Sequence, residues 1–367
     1  MSENVEKIPG LREHNRKLAS VRVVSDVLPI PEADLIELII VDGWRCITMK
    51  TEGLVKGSKC IFIESDALVP LSDPRFAFLG ELKRGRIDDF VNPLTGELDR
   101  YYKIKPIRLK GIVSEGLILG CDQNLEEGSD LTSTLGILLG SDPKIQGSTE
   151  QRIGDFPSFI PGTSLQRIQN CPELAESIFS DPNWLATEKL DGTSVTAYYG
   201  KDFEGKMGVN VCSQNMMLAE LDDCLYWSTV KDSGVYDILM DCQNSDVYLA
   251  IQAEICGPKV NGNHYGLPRP TLFIYRVLIS TPESRMFRAI PYSQWKDEFK
   301  SLSVPRLDNI DRSGKTVQDL LEQADTMRST LVDRPAEGVV WEYNQDPMQP
   351  IRYGPTATKV LSRPFQW

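Results

Sequence analysis

One lysine stands where a lysine is costly to place. The segment Ala186-Thr187-Glu188-Lys189-Leu190-Asp191-Gly192-Thr193-Ser194-Val195 puts it at the end of one apolar run, which resumes as Val195-Thr196-Ala197-Tyr198-Tyr199. Two readings fit. In the first, Asp191-Gly192 is a plain β-turn between two strands and supplies the positive φ that such turns need. In the second, the lysine is a nucleophile. A rigidly held amine attacks the α-phosphate of a nucleotide and keeps the nucleoside monophosphate as a phosphoramide. K-x-D-G arises by chance in roughly one chain in ten of this length, so other segments must decide.

The chain has 367 residues, enough for two domains with their own cores. Hydrophobic residues at 41% and charged residues at 25% are those of a globular protein, expected to be soluble and cytoplasmic. A formal charge of -12 means that any contact with a phosphate backbone must come from a local basic patch. The 8 cysteines include no C-x-x-C pair and the 2 histidines are His14 and His264, which argues against a zinc site and a disulfide framework. Met1 to Lys17 is polar and mixed in charge, unlike a secretory leader, and no apolar run reaches membrane-spanning length. No membrane partner is expected, and a monomer is.

From Arg16 to Asp122 the chain reads as short strands and turns. Leu18 to Val24 alternates, Leu35 to Val41 runs into Asp42-Gly43 as a hairpin, and Cys60-Ile61-Phe62-Ile63 and Gly116-Leu117-Ile118-Leu119 read as buried strands. This predicts a small OB-like β-barrel as an N-terminal module over residues 1–125. It holds a basic cluster with interleaved aromatics: Lys83, Arg84, Arg86, Arg100, Tyr101, Tyr102, Lys103, Lys105, Arg108 and Lys110. Cations for phosphates and rings for stacking suit a nucleic-acid groove; a solvated strand edge is the alternative. Residues 126–155, rich in Gly, Ser, Asp and Thr, read as a connector with a short helix over Ser133 to Leu139. Residues 156–367 read as an α+β domain around antiparallel sheet. Helices are expected from Asn215 to Gln243 with a break near Gly234, from Ser293 to Lys300, and from Val317 to Met327. Thr316 and Asp319 have capping-box spacing for the last. Strands are expected at 246–256, 271–279 and 338–343.

Three later segments raise the lysine above chance. Tyr248 to Pro258 is an apolar strand carrying Glu254 near its end, and a glutamate there is costly unless it faces a cation or a donor. Glu337 leads into the buried run Gly338-Val339-Val340-Trp341, and Lys359 is a lone cation within Ala357 to Leu361.

In order and rough spacing, Lys189-Leu190-Asp191-Gly192, Glu254-Ile255-Cys256-Gly257, Glu337-Gly338-Val339-Val340 and Lys359 resemble motifs I, III, IV and V of the covalent nucleotidyltransferases. These are the DNA ligases, RNA ligases and capping guanylyltransferases. Phe156-Pro157-Ser158-Phe159 and Arg167-Ile168-Gln169-Asn170 look like the lead-in of RNA ligases. The front module is similar to the OB module of Deinococcus-type RNA ligases. Only 8 residues follow Lys359, too few for the OB-fold that DNA ligases and capping enzymes carry there, so an RNA ligase is expected.

The resemblance implies ATP-dependent joining of a 3′-OH RNA end to a 5′-phosphate at nicks in duplexes, with RNA or an RNA-containing nicked duplex as partner and Mg²⁺ or Mn²⁺ as metal. It implies Lys189, Asp191, Glu254, Glu337 and Lys359 as the catalytic group. Glu188, Lys189, Gly192, Glu254 and Lys359 would bind the nucleotide; Phe273 and Tyr275, two apart on one strand and so sharing a face, either offer one ring to adenine or are two core aromatics. Asp191, Glu254 and Glu337 would hold the metal through water, with Glu254 left between metal and ribose. Lys83, Arg84, Arg86, Arg100, Lys103, Lys105, Arg167, Gln214 and Asn215 would meet nucleic acid. A lysine of ordinary pKa pays about 4–5 kcal/mol to be neutral at pH 7, and burial with a nearby cation is expected to favour the free amine.

Several positions depart from the pattern. Gln214 replaces a common arginine, Ala336 replaces another before Glu337, and Ala357 and Leu361 leave Lys359 without a second lysine. Arg352 and Arg363 are candidates to substitute, and the turn Gly257-Pro258-Lys259-Val260-Asn261-Gly262-Asn263 adds Lys259. A degenerate ligase-fold RNA-binding protein is the rival reading.

Overall fold

Alternation of apolar and polar residues dominates the chain, and strands dominate the structure. The computed structural model describes residues 16–82, 85, 87–139, 152–281, 286–344 and 356–365. It divides into two units, Met1–Lys144 and Ile145–Trp367.

In the first unit the strand Lys59–Glu64 lies between Ala19–Val23 and Gly116–Gly120. Its two faces serve different cores. Ile61 and Ile63 pack with Leu18, Val69 and Phe76, whereas Cys60 and Phe62 pack with Val24, Ile39 and Trp44. A strand buried on both faces reads as a continuous apolar run, as this one does. The hairpin between Ile36–Val41 and Trp44–Met49 turns on Asp42 at φ 48° and Gly43 at φ 83°, as the Asp-Gly pair predicts.

The connector reading fails at both ends. Leu131 N–H donates to Ala19 O at 2.8 Å, Leu135 and Ile137 are buried in the first core, and Leu138–Leu139 pairs with Ala67 and Leu68. The predicted helix over 133–139 is absent because Gly136, at φ 62°, turns the chain and the apolar residues beyond it alternate into the core. At the other end Arg152–Asp155 is a strand of the second unit, paired with Met216–Leu218.

The second unit holds two antiparallel sheets. The larger runs in the order Arg152–Asp155, Met216–Leu218, Met207–Cys212, Thr193–Lys201, Tyr248–Cys256, Thr271–Ser280, Arg288–Ala289. Helices Leu225–Asp232 and Val235–Met240, with Phe299 of Asp297–Ser301, complete its core around Trp227, Leu239, Ile251 and Val277. The smaller sheet is Trp184–Lys189, Gly338–Tyr343, Ala357–Leu361. Helices Leu174–Ser180 and Val317–Thr326 cover it, with Trp184, Leu321 and Trp341 at the centre. Thr316 and Asp319 form the expected reciprocal cap. The helix expected from Asn215 starts only at Leu225, because Met217 and Leu218 are paired into the large sheet; its break falls at Gly234, φ 77°. The segment from Ser293 shortens to a 3₁₀ turn and the helix Asp297–Ser301.

The β-turn reading of Asp191-Gly192 is also overturned. The strands on either side belong to different sheets, so Lys189 to Gly192 is a crossing between sheets rather than a hairpin. Neither Asp191 nor Gly192 adopts a positive φ. Gly192 answers to crowding: a Cβ there would lie 2.5 Å from Ile255 O and 2.6 Å from Glu254 Cγ. At Gly338 a Cβ would lie 2.0 Å from Val360 O, and φ is 154°. Gly338→Ala must therefore push apart the strands carrying Glu337 and Lys359, and is expected to cost about 1–3 kcal/mol in denaturant unfolding. Wild-type stability in that variant would show that the strands yield freely.

Candidate active site

Strand alternation sorts the residues around the crossing. Along Trp184–Lys189, Trp184, Ala186 and Glu188 are buried, while Leu185, Thr187 and Lys189 are half-buried on the opposite face. Lys189 and Glu188 therefore point to different sides of one strand. Glu337, just before Gly338–Tyr343, comes beside Lys189 through the register Lys189↔Gly338. Lys189 Nζ donates to Glu337 Oε1 at 2.7 Å, and the two side chains keep 23% and 16% of their exposure. The remaining oxygen, Glu337 Oε2, is buried with no hydrogen-bond partner.

Glu254 comes from the large sheet. Its neighbours in register are Ser194 on one side and Phe273 on the other, and the Gly192 backbone N–H donates to its carboxylate. Asp191 sits on the crossing. Its backbone N–H donates to Tyr265 Oη at 2.7 Å, and its Oδ1 accepts from Asn261 Nδ2 at 2.7 Å. Lys359 lies opposite Val340 on the outer strand of the small sheet, its N–H donates to Gln166 O at 2.9 Å, and its charge acts on Glu337. Lys189, Asp191, Glu254, Glu337 and Lys359 thus meet where the sheets meet.

The electrostatics reverse one expectation. Burial alone lowers the Lys189 pKa, but Glu337, Glu254 and Asp191 together outweigh it and hold the pKa above the ordinary lysine value. The amine is an ammonium here. Burial raises Glu254 to about 7, with Lys189 opposing and Glu337 adding to the rise. Burial raises Glu337 too, against the pull of Lys189.

Glu188 is buried, with Oε2 accepting from Thr330 N at 2.8 Å and from Thr330 Oγ1 at 2.7 Å. Its Oε1 is buried without a partner. On the face of Lys189, Leu185 and Thr187 line a cavity of about 360 Å³ whose other walls include Tyr275, Arg276, Arg306 and Glu342. Phe273 and Tyr275 share a face as expected, but only Tyr275 reaches this cavity, beside a bulge in its strand. Arg276 closes the space by bridging the sheets to Glu342 at 2.7 Å.

Among the nucleic-acid candidates, Lys103 is a correction. It is 3% exposed and paired with Asp66 at 3.2 Å, and the adjacent Tyr101 and Tyr102 are buried in the first unit. Its strand turns these side chains into packing. Arg100 and Lys105 are exposed, as are Arg108 and Lys110, while Lys83, Arg84 and Arg86 lie outside the described residues. In the second unit Arg167 is half-buried and bridges to Lys359 through its backbone. Gln214 is exposed and donates to Ser164 Oγ at 2.9 Å; Asn215 is exposed. Ala336 is fully buried, leaving no room for an arginine side chain. Arg363 is committed to Asp325 and does not replace the missing lysine; Arg352 lies outside the described residues. Two site neighbours were not singled out from sequence. Asn261 stands in a turn noted only for its glycines and Lys259, and Tyr265 acts through a hydroxyl that no local pattern marks.

A family of OB-fold domains matches residues 18–121, and the RNA ligase family matches residues 182–351. No curated protein matches the chain by sequence. The solved RNA ligase of Naegleria gruberi with pyrophosphate is 25% identical with a TM-score of 0.68, over 95% of this chain and 98% of that one. A mutant of it with AMP and manganese is 25% identical with a TM-score of 0.70, over 95% and 98%. Another, with ATP and manganese, is 25% identical with a TM-score of 0.67, over 97% of each chain. Residues 182–351 thus carry an RNA ligase domain, and residues 18–121 an OB-fold domain ahead of it.

Proposed function

We propose that the protein is an ATP-dependent RNA ligase that carries AMP on Lys189 and joins a 3′-OH RNA end to a 5′-phosphate at nicks in duplexes, an RNA-repair reaction. The observation that carries the reading is the convergence of Lys189 with Glu337, Glu254 and Asp191 beside a cavity that can take a base. Adenine enters the space against Tyr275 and Thr187, on the face from which Lys189 projects. Glu188 lies on the other face; its unpaired buried oxygen is an acceptor suited to an amino group arriving at the strand's edge.

A triphosphate cannot approach three carboxylates without a cation. The donor set fits a hard divalent ion such as Mg²⁺ or Mn²⁺: only oxygen ligands are offered, and Glu337 Oε2 is an orphaned acceptor. Asp191, Glu254 and Glu337 would hold the ion through water, since such an ion keeps several of its own waters. When bound, the ion neutralises carboxylate and phosphate charge. To react, Lys189 must give up its proton, and Glu337 Oε1, at 2.7 Å, is the acceptor at hand; burial favours the amine in its neutral form. Neutral Lys189 attacks the α-phosphorus in line and pyrophosphate leaves. Lys359 faces the developing oxygen charge. AMP passes to the RNA 5′-phosphate, and the 3′-OH displaces it. In the first unit the exposed Arg100 and Lys105 track the phosphate backbone. No helix among the described residues is long and apolar enough to cross a membrane; we place the enzyme in the ATP-rich cytoplasm.

Incubation with α-labelled ATP and Mg²⁺ is expected to leave label on the protein that survives SDS, and none on Lys189→Ala. A folded wild type that takes no label with any divalent metal would instead support a binding protein built on a ligase fold. Arg100→Ala with Lys105→Ala is expected to spare labelling, weaken binding to a nicked duplex and lower the salt slope by about 2; an unchanged slope would remove these residues from the interface. Glu254 also makes a pH prediction. Its folded pKa, about 7, lies above its unfolded value of 4.5, so the stability it contributes is full below the unfolded pKa and is lost as pH rises through the folded one. Relative to Glu254→Gln, wild-type Tm should fall across that interval. Parallel curves would contradict the raised pKa.

A further inference from the structure

The turn after the Glu254 strand does more than reverse the chain. Between Gly257 and Gly266 it places Gly257, Lys259, Asn261, Gly262, Asn263 and Gly266 at positive φ. Three of these are not glycine. Such clustering holds a loop in one shape and aims particular side chains. Asn263 ties the loop to itself, with Nδ2 donating to Leu267 O at 2.9 Å and Oδ1 accepting from Leu267 N–H at 2.9 Å. Asn261, at φ 42°, points the other way. Its Nδ2 donates to Asp191 Oδ1 at 2.7 Å and to Gly192 O at 3.0 Å. Tyr265, from the same turn, takes the Asp191 backbone N–H.

We infer that Asn261 is a positioning residue for the AMP-transfer reaction: its amide clamps the carboxylate of Asp191 and the carbonyl of Gly192, fixing the chain crossing against the turn that follows Glu254. The inference rests on the function proposed above. The crossing needs such a clamp. It is neither strand nor hairpin, so no ladder holds it, yet Asp191 must keep its place among Lys189, Glu254 and Glu337 while phosphate charge enters and leaves. The bond from the amide nitrogen to the carboxylate sets the direction of the Asp191 side chain, and the second bond from the same nitrogen ties that direction to the backbone. A donor is required, because both partners are acceptors. Asparagine is also among the few side chains that tolerate the left-handed backbone there.

Two substitutions separate positioning from packing. Asn261→Gly removes the amide without straining the positive φ. Asn261→Asp keeps the shape and tolerates the same backbone, but turns the donor into an acceptor facing a carboxylate. Self-labelling with α-labelled ATP is expected to fall roughly ten- to a hundredfold in Asn261→Gly, and further in Asn261→Asp. Calorimetry in a Lys189→Ala background, where no transfer occurs, should show weaker binding of ATP with Mg²⁺ once Asn261→Gly is added. Tm should change little in either variant. If Asn261→Asp labels and binds like wild type, the amide donates nothing that matters and the inference is overturned. The same follows if only Tm falls, since that is the mark of packing. If one variant does not fold, the other decides. A wild type that never labels refutes the ligase reading itself, a result distinct from a labelling wild type with indifferent variants.

Discussion

Everything in the second unit turns on the ion pair between Lys189 and Glu337. Two strands of one small sheet bring the groups to 2.7 Å, and the large sheet supplies Glu254 from across the junction. Half-buried charges of this kind are tolerated only when paired, because desolvating either alone costs several kcal/mol. The pairing therefore constrains the fold as well as the chemistry. The small sheet must keep its register, since a slip of one residue would send Lys189 into the apolar core beneath Trp184 and Trp341.

Glycine is how neighbouring segments of each sheet come close enough. Gly192, Gly257 and Gly338 each stand where a Cβ would lie within 3 Å of backbone from a neighbouring segment: Ile255 O, Arg269 O and Val360 O. Each is adjacent to, or a few residues from, a charged member of the site. Each charged strand seats against its neighbour through such a gap, and the Gly192 N–H reaches Glu254 through one of them. Deeper in the cleft, Arg276 and Glu342 tie one sheet to the other. The interior is thus shaped by a few close backbone approaches and one strut, with a cavity left between them.

How much of this was legible depended on whether local pattern and tertiary pairing agreed. Lys189, Glu254, Glu337 and Lys359 stood out because charge within an apolar run is conspicuous whatever its partners. Asp42-Gly43 and Thr316 with Asp319 were legible because turns and caps are local devices. Leu218, Leu221 and Leu225 have helical spacing, yet Leu218 is claimed by a neighbouring strand and Leu221 is 40% exposed; pairing overrode periodicity. Lys103 misled because cations among aromatics look like a groove, whereas its strand is buried where the three residues fall. Residues 131–139 misled because the longer stretch around them is rich in Gly, Ser, Asp and Thr, although Leu135 and Ile137 carry the packing. Asn261 and Tyr265 were invisible for a different reason. Their partners are 70 and 74 residues away, and nothing near them in the chain records the bond.

The acidic balance of the site now has a physical meaning. Gln214 is bound to Ser164, Ala336 is buried and Arg363 is held by Asp325, so none of these three positions adds a free cation to the site. Asp191, Glu254 and Glu337 surround Lys189, and Lys359 acts on Glu337 from the outer strand. That arrangement is stable without nucleotide, since the amine stays protonated and unreactive, and it is hostile to a bare triphosphate. A divalent cation held by these oxygens would supply the positive charge that a triphosphate needs there. An enzyme with more fixed cations would bind the triphosphate more readily, and would hold the lysine's proton less dependent on what is bound.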